Sequence, residues 1–138
     1  MQNVLAQFHC FGDLATPLLM SAAAGEGTIS MSCHILDTAQ GTPARGMKIH
    51  LEQNIQGDEW VSIHRGTSND DGRVTDIPKN LISGVYRMTF YTKDYFIQTN
   101  VEKFFYPVVS MIFTTTPNEH FHIPLLISPF GYTTYRGS

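Results

Sequence analysis

A chain of 138 residues and 15.5 kDa has the length of one domain with a single hydrophobic core, which argues against two separately folded domains. Its formal charge is −3, only 15% of its residues are charged, and 42% are hydrophobic, so neither a basic nucleic-acid footprint nor disorder of the whole chain fits. No stretch approaches the roughly 20 apolar residues of a membrane span. We therefore expect neither nucleic-acid nor membrane partners, and a largely neutral surface that other subunits could bury.

The N-terminal part, residues 1–29, is interpreted as a flexible tail that precedes one domain over 30–138. Its segment Ser21–Gly27, SAAAGEG, has the composition of a flexible joint. The first thirty residues contain no Lys or Arg, so we expect no secretory signal. The two cysteines, Cys10 and Cys33, are too few for a disulfide framework and favour a reduced compartment.

From Met31 onwards, apolar and polar residues alternate with period two in short runs that turn residues separate. This pattern is typical of strands with one buried face. The predicted strands are Met31–Asp37, Met47–Glu52, Trp60–Arg65, a short strand after Arg73, Gly84–Tyr91, Phe105–Thr114 and His120–Ile127. One short helix is predicted over Thr92–Lys103 with Thr92 as its cap, and residues 128–138 are read as a tail. Seven or eight strands with one helix predict an all-β sandwich.

The alternation also predicts which side chains point inwards. Cys33 falls on the apolar face of its strand and is expected to be a core residue and a poor nucleophile. His50 and His64 fall on outward faces and are expected to be solvated. Pro124 predicts an edge strand or a bulge. In the loop Thr67–Arg73, Gly72 is expected to adopt a positive φ.

His120 and His122 are two residues apart on a strand, so their side chains leave the same face. With His34 or Asp37 as a third ligand this spacing could hold a metal ion, but a polar sheet face explains it more simply. Taken singly, His34 and Arg73 are explained by structural roles, and Ser138, as the last residue, is expected to be frayed and without a role.

Together, several segments carry a family resemblance. They are His34–Gly46 (HILDTAQGTPARG), Thr67–Arg73 (TSNDDGR), Gly84–Tyr86 (GVY), Phe105–Pro107 (FYP), His122–Pro129 (HIPLLISP) and the final Tyr135–Ser138 (YRGS). In this order, from about Ser30 to the last residue, the sequence resembles the transthyretin-related 5-hydroxyisourate hydrolases. His34, Arg73, His122 and the final tetrapeptide separate the hydrolase from its hormone-carrying relative, transthyretin.

The resemblance implies a transthyretin-like two-sheet β-sandwich of about eight strands with one short helix, assembled as a homotetramer. This tetramer is a dimer of dimers with the active sites in the channel at the dimer–dimer interface. Catalytic roles are carried over to His34, Arg73, His122 and Ser138, and the substrate-binding motif is completed by Tyr135, Arg136 and Gly137. The family pattern leaves His120 outside the site and requires no metal and no organic cofactor. The chain departs from the family at Tyr95–Phe96 and Gly131, which concern packing only.

The implied reaction opens 5-hydroxyisourate at its N1–C6 amide, the step after urate oxidation. Such a hydrolysis needs an activated water, a stabilised oxyanion and a proton for the leaving nitrogen. Histidine suits both directions of proton transfer near neutral pH, so either His34 or His122 could be the base. Arg73 suits an anionic ring and a developing oxyanion. Ser138 could hold the substrate or the water.

Two other functions and the location of the protein stay open at this point. A transthyretin-like carrier of a hydrophobic hormone would use the same channel, and a His-rich metal-binding sandwich is a weaker hypothesis. The resemblance implies a peroxisomal or cytoplasmic protein. However, the final Arg-Gly-Ser does not match the usual C-terminal peroxisomal signal.

Overall fold

The computed structural model describes residues 27–138, which form two β-sheets and one short helix. In chain order the elements are β1 (Thr28–Asp37), β2 (Thr42–Pro43), β3 (Lys48–Gln56), β4 (Glu59–Thr67), β5 (Arg73–Val74), β6 (Leu81–Ile82), β7 (Val85–Phe90), α1 (Thr92–Gln98), β8 (Val109–Thr114), β9 (His120–Ser128) and β10 (Gly131–Thr134). The predicted all-β sandwich with one short helix is confirmed. The predicted tail, residues 1–29, lies almost entirely outside the described residues. Within residues 27–138, no helix is long and apolar enough to cross a bilayer.

The strands divide into two sheets that share one hydrophobic core. The first sheet has the order β10-β9-β1-β2, with β5 and β6 also pairing with β1, and the second has the order β4-β3-β7-β8. Inward-facing residues alternate along the strands as predicted and come from both sheets, including Met31, Cys33, Ile35, Met47, Ile49, Leu51, Tyr86, Met88 and Phe90. A sheet with one buried face leaves its other face free to carry polar side chains.

The centre of the first sheet is the parallel pair of β1 and β9, with Ser30–Asp37 paired to His120–Ile127 without interruption. The edge position predicted from Pro124 is wrong, because β9 lies between β1 and β10. The carbonyl of Pro124 accepts a hydrogen bond of 2.8 Å from the Thr134 hydroxyl, so its nitrogen also faces the β10 side. The last paired residues of β9 and β10 are Leu125 and Thr134, and Pro124 lies one residue beyond them. Because the regular pairing has ended there, the missing N–H of Pro124 removes no hydrogen bond between the two strands.

The segment 128–138, interpreted as a tail from the sequence, is instead part of the first sheet. β10 pairs antiparallel with β9, and an isolated bridge continues this pairing between Gly137 and His122. Short polar segments near a chain end carry little periodic signal, and pairing with a neighbouring strand decides their structure.

The helix is shorter than its predicted range of Thr92–Lys103, since it ends at Gln98. Asn100 follows with a φ of 60°, a left-handed conformation that stops the helix. Thr92 is buried and does not cap the helix, because its hydroxyl donates to the Tyr106 carbonyl. The Thr92 hydroxyl therefore bonds to a residue distant in the sequence and not to the first turn of its own helix.

The prediction that His50 is solvated is wrong, because the residue is only 8% exposed. It does lie on the outward face of the second sheet, but neighbouring side chains enclose it. Its Nε2 lies 2.8 Å from Ser62 Oγ, and the side chain of Glu52 on the same face is held by two hydrogen bonds from Arg87.

The outward, solvated position predicted for His64 is also wrong, and a β-bulge is the cause. β3 pairs Glu52 with Ser62 but Leu51 with His64, so Ile63 is an extra residue on β4. The bulge breaks the alternation and places His64 beside the buried Leu51, with its Nε2 3.1 Å from Asp76 Oδ1.

Candidate active site

Two histidines meet on the outward face of the first sheet. Along β1 the odd-numbered residues enter the core, so His34 projects from the opposite face. On β9 His122 projects from the same face, because its neighbours Phe121 and Ile123 are buried. The centroids of the two imidazole rings lie 6.5 Å apart, with an angle of 49° between the ring planes. The parallel register thus brings together two residues that are far apart in the sequence.

Arg73 joins them from β5. It pairs with His34, while Val74 pairs with Cys33 and enters the core, so the side chain of Arg73 leaves the same face as the histidines. The preceding loop is held by Asn69, whose Oδ1 accepts the N–H of Arg73 at 2.9 Å. Gly72 has the predicted positive φ, 74°. Among residues 27–138, the guanidinium of Arg73 forms no salt bridge, which leaves it available to an anion.

The tautomer of His34 is set by a backbone group. Its Nε2 lies 2.8 Å from the carbonyl oxygen of Asp71, which can only accept. Nε2 therefore carries the proton and donates it to that carbonyl. In the neutral ring the lone pair of His34 is on Nδ1.

His122 has a different kind of partner. Its Nδ1 shares a hydrogen bond of 2.8 Å with the hydroxyl of Ser32, which also lies 2.9 Å from Nε2 of His120. A hydroxyl can donate or accept, so either neutral tautomer of His122 is compatible with this contact. Ser32 is not among the site residues predicted from the sequence, and the family pattern leaves His120 outside the site. The signal was available, because Ser32 shares the outward face of β1 with His34.

The final residues of the chain pack against His122. The N–H of Gly137 donates to the His122 carbonyl at 3.0 Å, and a Cβ on Gly137 would overlap Cδ2 and Cγ of the His122 ring. Only glycine therefore allows the segment to approach this closely. Ser138 is the residue after Gly137 and is exposed.

Two members of the predicted motif are not brought to the imidazoles within this chain. The guanidinium of Arg136 lies 5.0 Å from the centroid of the Phe121 ring and forms a salt bridge with Glu119. Phe121 belongs to the inward-facing set of β9, so Arg136 is directed away from His122. Tyr135 is 58% exposed and lines a groove beside β8 that also includes Met111.

The surroundings of His122 keep its ring neutral. Burial lowers its pKa below the ordinary value of 6.5, and the positive charge of Arg73, with those of His34 and His120 when protonated, lowers it further. At neutral pH the ring is therefore uncharged and can accept a proton. Burial raises the pKa of the Cys33 thiol to about 12, in agreement with its expected place as an unreactive core residue. Within residues 27–138, no group of three or more His, Cys, Asp and Glu side chains is arranged to hold a metal ion.

Comparisons with known proteins show which proteins this chain is similar to. A family described as the HIUase/Transthyretin family matches residues 31–137. A probable 5-hydroxyisourate hydrolase of Caenorhabditis elegans is 38% identical over 137 residues, which cover 96% of this chain and 98% of the relative. The crystal structure of sea bream transthyretin in complex with thyroxine matches with a TM-score of 0.74 and 30% identity, covering 78% of this chain and 93% of that one. The structure of 5-hydroxyisourate hydrolase from Klebsiella pneumoniae matches with a TM-score of 0.66 and 32% identity, covering 79% and 93%.

The charge of Arg73 can be tested through the titration of His122. In the unmodified protein, NMR should show a His122 pKa below 6.5. Arg73→Gln removes a positive charge and should raise that pKa, but it should stay below 6.5, because burial is the larger cause. Arg45→Gln, a change at an exposed arginine paired with Asp70, serves as the control and should leave the pKa unchanged. A His122 pKa that stays constant or falls in Arg73→Gln contradicts this electrostatic account.

Proposed function

The chain belongs to the HIUase/Transthyretin family, and we propose on that basis that it is a 5-hydroxyisourate hydrolase. It opens the N1–C6 amide of 5-hydroxyisourate to give 2-oxo-4-hydroxy-4-carboxy-5-ureidoimidazoline, in the step of purine catabolism that follows urate oxidation. The observation that carries the proposal is the group of His34, His122 and Arg73 on one sheet face. Two imidazoles beside a free guanidinium suit the hydrolysis of a polar, anionic ring.

In this proposal His122 is the general base. Its Nδ1 is occupied by Ser32, so Nε2 is the nitrogen left to face a ligand, and the lowered pKa keeps it unprotonated at neutral pH. Between rings whose centroids are 6.5 Å apart there is room for one water oxygen. His122 removes a proton from this water as its oxygen adds to C6. The same nitrogen then returns a proton to the leaving N1.

The other groups bind the substrate and its transition state. The guanidinium of Arg73 is permanently charged, so it attracts the urate-like anion and stabilises the oxygen that becomes negative when C6 turns tetrahedral. The Nδ1 lone pair of His34 accepts from the water or from a ring N–H. Ser138 contacts the substrate through its hydroxyl. Because Arg136 is held by Glu119 and Phe121, we assign it and Tyr135 the role of fixing the Gly137–Ser138 segment.

We further propose that four chains assemble as a dimer of dimers, with the active-site faces lining the channel between the dimers. The outward residues of β1, namely Ser30, Ser32, His34 and Leu36, include no carboxylate and no lysine or arginine, which suits a face that is covered. Within residues 27–138, β10 is an edge strand of the first sheet and β8 is an edge strand of the second. These edges lie side by side, since Thr134 Oγ1 is 3.4 Å from Met111 Sδ, and together they offer a two-sheet edge to another copy.

A second candidate function is carriage of a hydrophobic hormone, which the similarity to sea bream transthyretin favours. His34, His122 and Arg73 argue against it, because an apolar ligand would leave these polar groups without partners. Calorimetry with thyroxine separates the two functions. Micromolar binding of thyroxine, together with no hydrolysis, would favour the carrier.

The hydrolase proposal is tested by direct assay. When urate oxidase generates 5-hydroxyisourate in situ, the ultraviolet absorbance of 5-hydroxyisourate should decay faster with this protein than without it. His122→Ala and deletion of Ser138 should each lower the rate by about 10²-fold or more, the usual scale for one acid–base group. Circular dichroism should show that both variants remain folded. No acceleration by the unmodified protein at neutral pH contradicts the proposed function, and unmodified rates in both variants contradict the assigned residues.

The proposed tetramer can be tested by measuring the mass of the protein in solution. Sedimentation equilibrium should give a species near four times the chain mass of 15.5 kDa. Activity per chain should fall on dilution below the concentration at which this species dissociates, because each site lies between dimers. A monomer with full activity would rule the assembly out.

A further inference from the structure

The hydrogen bond that joins His122 to Ser32 is the first of three in an unbroken chain. Nδ1 of His122 lies 2.8 Å from Ser32 Oγ, which lies 2.9 Å from Nε2 of His120. Nδ1 of His120 then lies 2.7 Å from Ser30 Oγ. Imidazoles and hydroxyls alternate along this series of hydrogen bonds, and each of the three distances is that of a well-formed hydrogen bond.

The register of β1 and β9 builds the chain. Ser30 pairs with His120, and Ser32 pairs with His122. All four side chains leave the outward face, so the ring of His120 can reach both hydroxyls, one with each of its nitrogens. Each group in the chain can both give and accept a proton, which a lysine or an amide in these positions could not do.

The hydrogen-bonded chain runs along the outward face of the first sheet and ends at a groove beyond the active site. Ser30 and His120 line an open groove of about 700 Å³ whose rim includes Lys79 and Glu119. None of His34, Arg73 and His122 lines this groove. The chain therefore connects the active site with solvent at a second location.

We propose that Ser32, His120 and Ser30 form a proton relay that serves His122, an inference that rests on the proposed hydrolase function. When Nε2 of His122 takes a proton from the attacking water, Nδ1 gives its proton to Ser32 Oγ. Ser32 gives its own proton to Nε2 of His120, Nδ1 of His120 gives one to Ser30, and Ser30 releases one to the groove. Every group ends with the number of protons it had at the start, and the sequence runs in reverse when His122 protonates the leaving nitrogen.

The relay has a clear electrostatic reason. A base that simply kept the proton would become an imidazolium in a partly buried position beside Arg73, the environment that disfavours the charged form of His122. With the relay, His122 changes tautomer and stays neutral. His34, Arg73 and His120 are the titratable or charged side chains that act on His122, and Lys79 and Glu119 lie at the groove end.

Interrupting the relay should lower kcat and leave KM unchanged. Ser32→Ala removes the central hydroxyl, and we expect kcat to fall about tenfold, less than the roughly 10²-fold for loss of an acid–base group, because His122 itself remains. Ser32→Thr keeps a hydroxyl and should retain most of the activity. Ser62→Ala, which removes a Ser–His hydrogen bond of the same 2.8 Å length on the second sheet, is the matched control and should behave like the unmodified protein.

Two further measurements separate proton transfer from simple positioning. His120→Gln can still hydrogen-bond to both serines but cannot pass a proton, so its kcat should fall as in Ser32→Ala. In both variants, imidazole buffer should restore kcat towards the unmodified value after subtraction of the buffer-catalysed rate. Unmodified kcat in His120→Gln, or a loss in Ser32→Ala that imidazole does not rescue, overturns the relay.

Nitrogen-15 NMR of the imidazoles tests the relay without substrate. The tautomer populations of His122 should change in His120→Gln, because the two rings share the Ser32 hydroxyl. Unchanged populations contradict the coupling. If the His122 tautomer populations do change in His120→Gln but the unmodified protein does not hydrolyse 5-hydroxyisourate, the coupling stands and only the proposed function is contradicted.

Discussion

The parallel pairing of β1 with β9 is the constraint on which the site depends. It places Ser32 opposite His122, and because β5 pairs with the other edge of β1, it also sets Arg73 beside the two histidines. Side chains alternate between the faces with period two, so a slip of one residue between β1 and β9 would place His34 and His122 on opposite faces of the sheet. Burial of the apolar, inward-facing residues of β1 and β9 fixes this register. The alternation that builds the core therefore also brings the polar, outward-facing residues together.

On this face, burial and charge set the chemistry together. His34 is tied to a backbone carbonyl through Nε2, which fixes its tautomer, whereas His122 is tied to a hydroxyl, which leaves its tautomer free. Burial and the charge of Arg73 keep His122 neutral, which a base requires at neutral pH. Gly137 then closes one side of the His122 ring at a distance that no other residue allows.

The sequence predicted the sandwich, most strands and the inward residues, because period-two alternation reports directly on one-sided burial. It failed where pairing with other strands overrides local pattern, as at Ile63, where one extra residue turns His64 inwards, and at β10, whose strand depends on its partner. The site residues came from the family resemblance and not from periodicity. Periodicity placed Ser32 and His120 on outward faces, but their hydrogen bonds to each other and to His122 depend on the register of two strands that are distant in the sequence.

The position of the His122 ring against Gly137 can be tested with the variant Gly137→Ala. A methyl group at this position must displace the ring of His122 and disturb both its Ser32 contact and its place opposite His34. Gly131→Ala, where the added methyl would meet only Ser128 Oγ at 3.7 Å, is the control in the same segment. We expect Gly137→Ala, while still folded, to lose about 10²-fold in the rate of 5-hydroxyisourate hydrolysis, the scale for a displaced acid–base group, and Gly131→Ala to keep the unmodified rate. Equal, unmodified rates in both variants would contradict this expectation.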